Sequence, residues 1–329
     1  MAESTLEGMT TMQAPAARPR IQGIDAGRFV MAFLVVTLHS LPHGGVDASI
    51  VGMACRCAVP FFLIASGYLQ KPPERFYADV LTRPLSRLLP IYLFWMVVYY
   101  AVAGLSGIRP VHLDVRDLIS GGTAFHLWFL PALGVALVLV PSGARVLGLR
   151  TTGLACAALA AAAIAFSTYH DVLHLPGSAR RGGLMVAPLL VFIGHWLARH
   201  RISASLPTAA ALAVAGFAVM LCEELWIGHR LGLPLDDHDF SIGTFAYGAG
   251  VFLFARALPE GAAVRRLASL GTGALGIYVT HVLFVWGLDA VDPGATLPEV
   301  AWRAPIAFAG ALLLTMVLRG IPVLRRTVA

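Results

Sequence analysis

The chain has 329 residues, of which 58% are apolar or aromatic and 13% charged, with a formal net charge of +6 and a mean hydropathy of +0.76. Soluble domains carry about 25% charged and about 45–50% apolar residues. The composition therefore excludes a disordered chain, a coiled coil and a nucleic-acid binder, and it argues against a soluble enzyme.

Ten stretches of 14 residues or more lack Asp, Glu, Lys and Arg: 29–46, 57–70, 88–108, 118–144, 151–170, 182–198, 202–222, 240–255, 267–288 and 304–318. A helix crossing the hydrocarbon core needs about 20 mostly apolar residues. The run at 57–70 reaches that length by extending back through Arg56 to Ala48. Backbone polar groups in lipid must be satisfied within the segment, so each span is read as a helix. With the N-terminus inside, the inner segments hold 16 Lys and Arg residues and the outer loops 6, including Arg109, Arg116, Arg180, Arg181, Arg230 and Arg303. That split follows the positive-inside rule. The expected fold is an all-α integral membrane protein, a bundle of about ten transmembrane helices with both termini cytoplasmic. Residues 1–20 are polar and read as a flexible cytoplasmic tail, and 21–329 as a single transmembrane domain. Cys55, Cys57, Cys156 and Cys222 all fall in spans, so no disulfide framework is implied.

Ionisable residues inside spans are functional hypotheses by default. The first span carries Arg28 and His39. Eleven steps of 100° end close to three full turns, so both lie on one face, about 16 Å apart along the axis. Asp25 sits three residues before Arg28 and can pair with it. The second span carries Arg56 at about the depth of His39. Arg56 either faces His39, which would favour a neutral imidazole suited to general-base chemistry, or snorkels outward as a structural residue. His126 and Trp128 open the fourth span, Tyr278 and His281 share a face of the ninth, and Glu223 and Glu224 end the seventh. Trp128 also fits a role as an interfacial anchor. Arg83 and Arg87 stand one turn apart before the third span and join Arg28 in a basic inner mouth. Guanidinium groups grip phosphates bidentately. A phosphate site at the surface with a base about 16 Å deeper suits coenzyme A. His195 reads as structural, and His170, His174, His229 and His238 carry little signal.

Several stretches together resemble the acyltransferase 3 family of membrane acyltransferases. They are Ile24-Asp25-Ala26-Gly27-Arg28 with ten residues to His39; Arg56-Cys57-Ala58-Val59-Pro60-Phe61-Phe62 leading to Ser66-Gly67-Tyr68; Arg87-Leu88-Leu89-Pro90-Ile91-Tyr92; His126-Leu127-Trp128-Phe129-Leu130; and Gly276-Ile277-Tyr278-Val279-Thr280-His281. The Arg56 and Ser66 stretches look most like the surface-polysaccharide O-acyltransferase branch. The resemblance implies an acyl-CoA donor on the cytoplasmic side and O-acylation of a glycan hydroxyl. It carries a catalytic role onto His39 and an essential role onto Arg28. The sequence departs from the family where two arginines three apart are common, because Pro84 stands at the expected first position.

On this reading His39 is the general base and Arg56 stabilises oxyanion charge or clamps an anionic sugar. Arg28, Arg87 and Arg83 hold the phosphates of acyl-CoA, expected to be acetyl-CoA. Trp128, His126, Glu223, Tyr278 and His281 line the acceptor side. No metal is called for. The partners expected are the lipid bilayer, acyl-CoA and a glycan or glycolipid acceptor, with no nucleic acid, in a bacterial cytoplasmic membrane. The alternatives are acylation of a small natural product such as a macrolide and, from another class, a transporter or flippase of a glycolipid.

Overall fold

The computed structural model describes residues 20–42, 46–71, 75–111, 114–115, 117–175, 182–232, 238–293 and 296–328. The expected tail lies outside the described residues except for Arg20, as do Arg116, Arg180 and Arg181 of the outer loops. Among the described residues every regular element is helical. Eight helical segments are long and apolar enough to cross a membrane: Gln22–Ser40, Val46–Leu69, Tyr77–Ser106, Gly122–Val146, Leu149–Phe166, Leu206–Leu231, Ala274–Val291 and Leu297–Gly320. Two further apolar helices, Gly183–Arg199 and Ile242–Ala257, are shorter.

Helix α1 (Gln22–Ser40) is the hub of the bundle. It packs against α3 (Ala58–Leu69), α10 (Ile242–Ala257), α11 (Ala262–Gly271), α12 (Ala274–Val291) and α13 (Leu297–Gly320). A central helix places its polar residues inside the protein rather than against lipid.

The second span is broken. Helix α2 (Val46–Cys55) ends at Arg56, and α3 restarts at Ala58. Pro60 has no N–H, so the Arg56 carbonyl loses its helical donor and the ladder opens there. The Arg56 N–H is shared between the carbonyls of Gly52 and Met53, both at 3.1 Å. The Tyr247 hydroxyl of α10 donates to the neighbouring Ala54 carbonyl at 2.8 Å.

The third span opens with a π-helical turn, Tyr77–Thr82, ahead of α4 (Arg83–Ser106). The Arg83 N–H bonds to the carbonyl of Ala78, five residues back. Pro84 cannot donate to the preceding turn. The wide turn absorbs that loss.

A short helix α5 (Asp117–Ser120) and a 3₁₀ stretch, Gly122–Trp128, lead into α6 (Phe129–Val146). Gly121 and Gly122 have φ of +83° and +49°. Both are in the left-handed region open to glycine. A Cβ on Gly122 would lie 2.2 Å from the Tyr100 hydroxyl oxygen, so the turn admits no side chain.

Helices α7 (Leu149–Phe166), α8 (Gly183–Arg199) and α9 (Leu206–Leu231) complete the bundle. Helix α8 packs on α3, α6 and α7, and α9 packs on α10.

Two boundaries differ from the sequence reading. The charge-free run 267–288 is not one helix. It is divided at Gly271–Gly273 between α11 and α12, and α11 carries exposed Arg265 and Arg266. Arg319 closes α11 by donating to the Thr272 hydroxyl at 3.2 Å and to the Thr272 carbonyl. The last helix starts at Leu297, before the run at 304, because Thr296 and Glu299 form a capping box. Arg303, read as an outer-loop cation, is thereby a helix residue.

Candidate active site

A cavity of about 640 Å³ opens between α1, α3, α4, α6 and α12. Arg28, Lys71, Arg83 and Arg87 line its mouth, with Asp79 as the one carboxylate among the lining residues. Val35, Val59, Phe62, Leu88, Phe129, Leu133 and Tyr278 line its apolar interior. Between them stand Ser66, Gln70 and Thr272. The cavity thus carries a surplus of positive charge at one end and an apolar wall beyond.

The fold places each cation. Arg28 pairs with Asp25 at 3.0 Å, three residues away on the same face, and Asp25 also lies 3.9 Å from Arg20. The Asp25 backbone is pinned from outside, since a Cβ on Gly271 would sit 1.8 Å from its carbonyl oxygen. Only glycine lets α11 approach α1 so closely. Arg83 is 73% exposed at its side chain and pairs with Asp79 at 3.0 Å. Arg87, one turn on, makes no ion pair among the described residues.

His39 lies one turn of α1 beyond Val35, the deepest α1 residue lining the cavity. Its ring stacks on His281 with centroids 5.3 Å apart and planes 29° apart, and meets the edge of Phe125 at 5.2 Å. His126 joins them, 5.2 Å from His281 and 4.7 Å from Tyr99. The Tyr278 hydroxyl donates to the backbone carbonyl of His126, which ties α12 to the 3₁₀ stretch. Tyr99 anchors the other side by donating to the Val279 carbonyl at 2.9 Å. Three imidazoles from α1, the 3₁₀ stretch and α12 therefore meet behind the inner end of the cavity. No group of His, Cys, Asp and Glu suited to a metal ion occurs among the described residues.

The remaining sequence candidates also make contacts with other parts of the fold. Arg56 pairs with Asp239 at 3.3 Å, just ahead of α10. Trp128 packs edgewise on Phe129 and Phe240, with its ring against Gly183. Glu223 serves the fold. Its oxygens accept from the Tyr169 hydroxyl at 2.6 Å and from the N–H groups of Ile242 and Gly243 at 2.9 and 2.7 Å. It thus caps α10, where free N–H groups and the helix dipole favour an anion. Its neighbour Glu224 is buried against His238 at 3.0 Å.

Sequence reasoning missed several residues. Lys71 and Gln70 line the cavity, and the sole lysine of the chain was counted only as a topology cation. Tyr99 and its contact to His126 left no signal, because an aromatic in an apolar run looks like any core residue. Arg303 is 2% exposed and is held by Asp289 at 2.6 Å and Asp292 at 3.2 Å. The capping box at Thr296 could have placed it in a helix.

The chain is similar to an amino-acid racemase of Enterococcus faecalis, 28% identical over 231 residues, covering 65% of this chain and 31% of that protein. It is also similar to a serine/alanine racemase of Enterococcus gallinarum, 25% identical over 244 residues, covering 66% of this chain and 34% of that protein. The chain thus spans about a third of the length of these curated relatives. No solved structure matches it. The family model described as an acyltransferase domain matches residues 21–320, nearly the whole of the membrane bundle, and the chain belongs to the acyltransferase 3 family.

Proposed function

We propose that the protein moves an acetyl or other small acyl group from acyl-CoA to a hydroxyl of a surface polysaccharide or its lipid-linked precursor. The observation that carries the reading is the cavity with cations at its mouth and an apolar wall ending one turn short of His39. The phosphates of coenzyme A would meet Arg28, Arg87, Lys71 and Arg83, while the uncharged pantetheine arm follows the apolar wall inward. The distance fits, since Arg28 and His39 are about 16 Å apart along α1.

His39 then takes the proton of the acceptor hydroxyl as its oxygen attacks the thioester carbonyl. The tetrahedral intermediate collapses with cleavage of the C–S bond, and the protonated imidazole returns the proton to the leaving thiolate. Arg56, steadied by Asp239, supplies positive charge for developing oxyanion charge or for an anionic sugar. His126, Tyr278 and His281 face the acceptor.

The bundle is read with ten crossings and both termini in the cytoplasm of a bacterial cell, so that the basic mouth opens inward as the positive-inside rule favours. Helices α8 and α10, of 17 and 16 residues, are counted as crossings despite their length. They span about 24–26 Å, and local thinning of the bilayer covers the difference. A reporter fused after Ala329 tests this, because a signal from outside the cytoplasm excludes an even number of crossings with the N-terminus inside.

Calorimetry of coenzyme A binding to the purified protein tests the donor site. Arg28→Ala and Arg87→Ala should each weaken binding by about 1.5–3 kcal/mol per charge-assisted contact. That is roughly tenfold to 150-fold. His39→Ala should leave the affinity near that of the wild type. Equal affinity in all four proteins defeats the donor site, and no binding by any of them favours a transporter. Mass spectrometry of surface glycans from a deletion strain and its parent identifies the acceptor.

A further inference from the structure

The histidine cluster holds hydrogen-bonding atoms that the protein itself leaves unused. His281 is 0% exposed and His126 3% exposed. Buried polar atoms are nearly always paired, and those that are not call for a missing partner. His126 Nδ1 and Nε2 and His281 Nε2 are buried without a hydrogen-bond partner among the described residues. They lie on adjoining rings next to His39 and above the cavity wall formed by Tyr278.

The state of His281 follows from its other nitrogen. Nδ1 lies 2.7 Å from the Tyr278 carbonyl oxygen, which can only accept. Nδ1 therefore carries the hydrogen, and in the neutral ring Nε2 is a bare lone pair. That lone pair requires a donor. The ring of His39 is not placed to be one, because the two imidazoles are stacked and a hydrogen bond lies near the ring plane. Tyr278 and Tyr99 are not donors either, since their hydroxyls are given to the carbonyls of His126 and Val279. His126, with one N–H and one lone pair in its neutral form, can both donate to and accept from an incoming group.

We propose that His281 Nε2 accepts a hydrogen bond from a hydroxyl of the acceptor substrate, next to the hydroxyl that His39 deprotonates, so that the acceptor is a polyhydroxylated ring or chain rather than a lone alcohol. This rests on the acyl-transfer reading above. Two imidazoles with centroids 5.3 Å apart can engage two oxygens of one polyhydroxylated molecule. His281 is here a substrate-binding residue, and the reacting proton stays with His39.

Two substitutions separate the nitrogens. In His281→Asn the side-chain amide can still donate to the Tyr278 carbonyl, but nothing reaches the Nε2 position. In His281→Gln the amide reaches the Nε2 position and gives up the Nδ1 contact. The full chain in detergent is supplied with acetyl-CoA and with membrane extract of its source organism as acceptor, and release of free thiol is followed. The Asn variant should lose extract-dependent turnover by about tenfold, the equivalent of one hydrogen bond, through a raised KM for extract. The Gln variant should retain most turnover. Coenzyme A affinity should be unchanged in both, which reports that the variants are folded. Tandem mass spectrometry of the product should find a free hydroxyl adjacent to the new ester.

Turnover kept in Asn and lost in Gln would show that His281 only braces Tyr278, and overturns the proposal. So do unchanged turnover in both variants, equal loss in both, or an ester on an isolated hydroxyl. Wild-type protein that binds coenzyme A yet releases none of it from acetyl-CoA with extract fails at the earlier step, and overturns the acyl-transfer reading itself.

Discussion

The two ends of the bundle treat charge in opposite ways. At the end holding Arg303, charged groups are matched. Arg303 meets Asp289 and Asp292, Glu224 meets His238, and Glu223 is consumed by the start of α10. At the other end, four cations line one cavity, and although Asp25 and Asp79 pair with Arg28 and Arg83, a surplus of positive charge remains. Charge in a low-dielectric bundle is costly unless paired. The matched end therefore reads as scaffold, and the unmatched end as a place prepared for an anion. Ionisable residues in spans point to a ligand site where the cations of a region outnumber the carboxylates that pair with them.

That contrast is sharpened or broken by substitution at either end. The largest effect is expected at the chemistry. His39→Ala should cut acyl transfer by about 10²–10⁴-fold, the usual contribution of a positioned base. Turnover within a few-fold of wild type would remove His39 from the mechanism.

At the matched end, Arg303→Ala should lower stability by about 2 kcal/mol, since it removes hydrogen bonds to two carboxylates that remain partly open to solvent. Thermal unfolding in detergent reads this. Turnover per folded molecule should hold, and loss of turnover without loss of stability would move Arg303 into the site. Glu223→Ala should cost about 1 kcal/mol, the usual worth of a helix cap. A normal unfolding midpoint with a raised requirement for acceptor would return Glu223 to the acceptor side.

The smallest effect is expected at Arg83. Its side chain is 73% exposed and already paired with Asp79. Exposed pairs contribute about 0–1 kcal/mol. Arg83→Ala should therefore weaken coenzyme A binding less than about fivefold, well short of Arg87→Ala. Equal losses at the two positions would mean that the π turn aims Arg83 inward when ligand is present.

Much of this was legible from the chain alone, for physical reasons that differ by region. Charge-free runs report crossings directly, because lipid tolerates few charges, and most of them correspond to long apolar helices. Arg28 and Asp25 were readable because helical periodicity brings residues three apart together. The same periodicity put His39 on the face of Arg28. What the runs hid is where a helix begins and ends. The Gly271–Thr272–Gly273 break lies inside a charge-free run, so α11 and α12 read as one span. The Thr296 capping box lies before a run, so Arg303 read as a loop residue. Partnerships between distant segments, such as Glu223 with α10 or His126 with Tyr99, leave no periodic trace. They arise only when the bundle closes.

The seal at the inner end of the cavity has an electrical consequence. The cavity reaches from the basic mouth to Tyr278 and Phe129, and the tyrosine is latched to the backbone of His126. In the orientation proposed above, such a recess brings water from one side deep into the bilayer. The insulating thickness that remains is the layer of rings around His39, His126 and His281. The membrane potential then falls across that thin layer instead of the whole hydrocarbon core. One elementary charge moved through the full potential is worth about 2.3 kcal/mol per 100 mV. In that orientation the aromatic and imidazole rings around His39 are the dielectric barrier of the site, and the Tyr278 bond to the His126 carbonyl helps to hold them together.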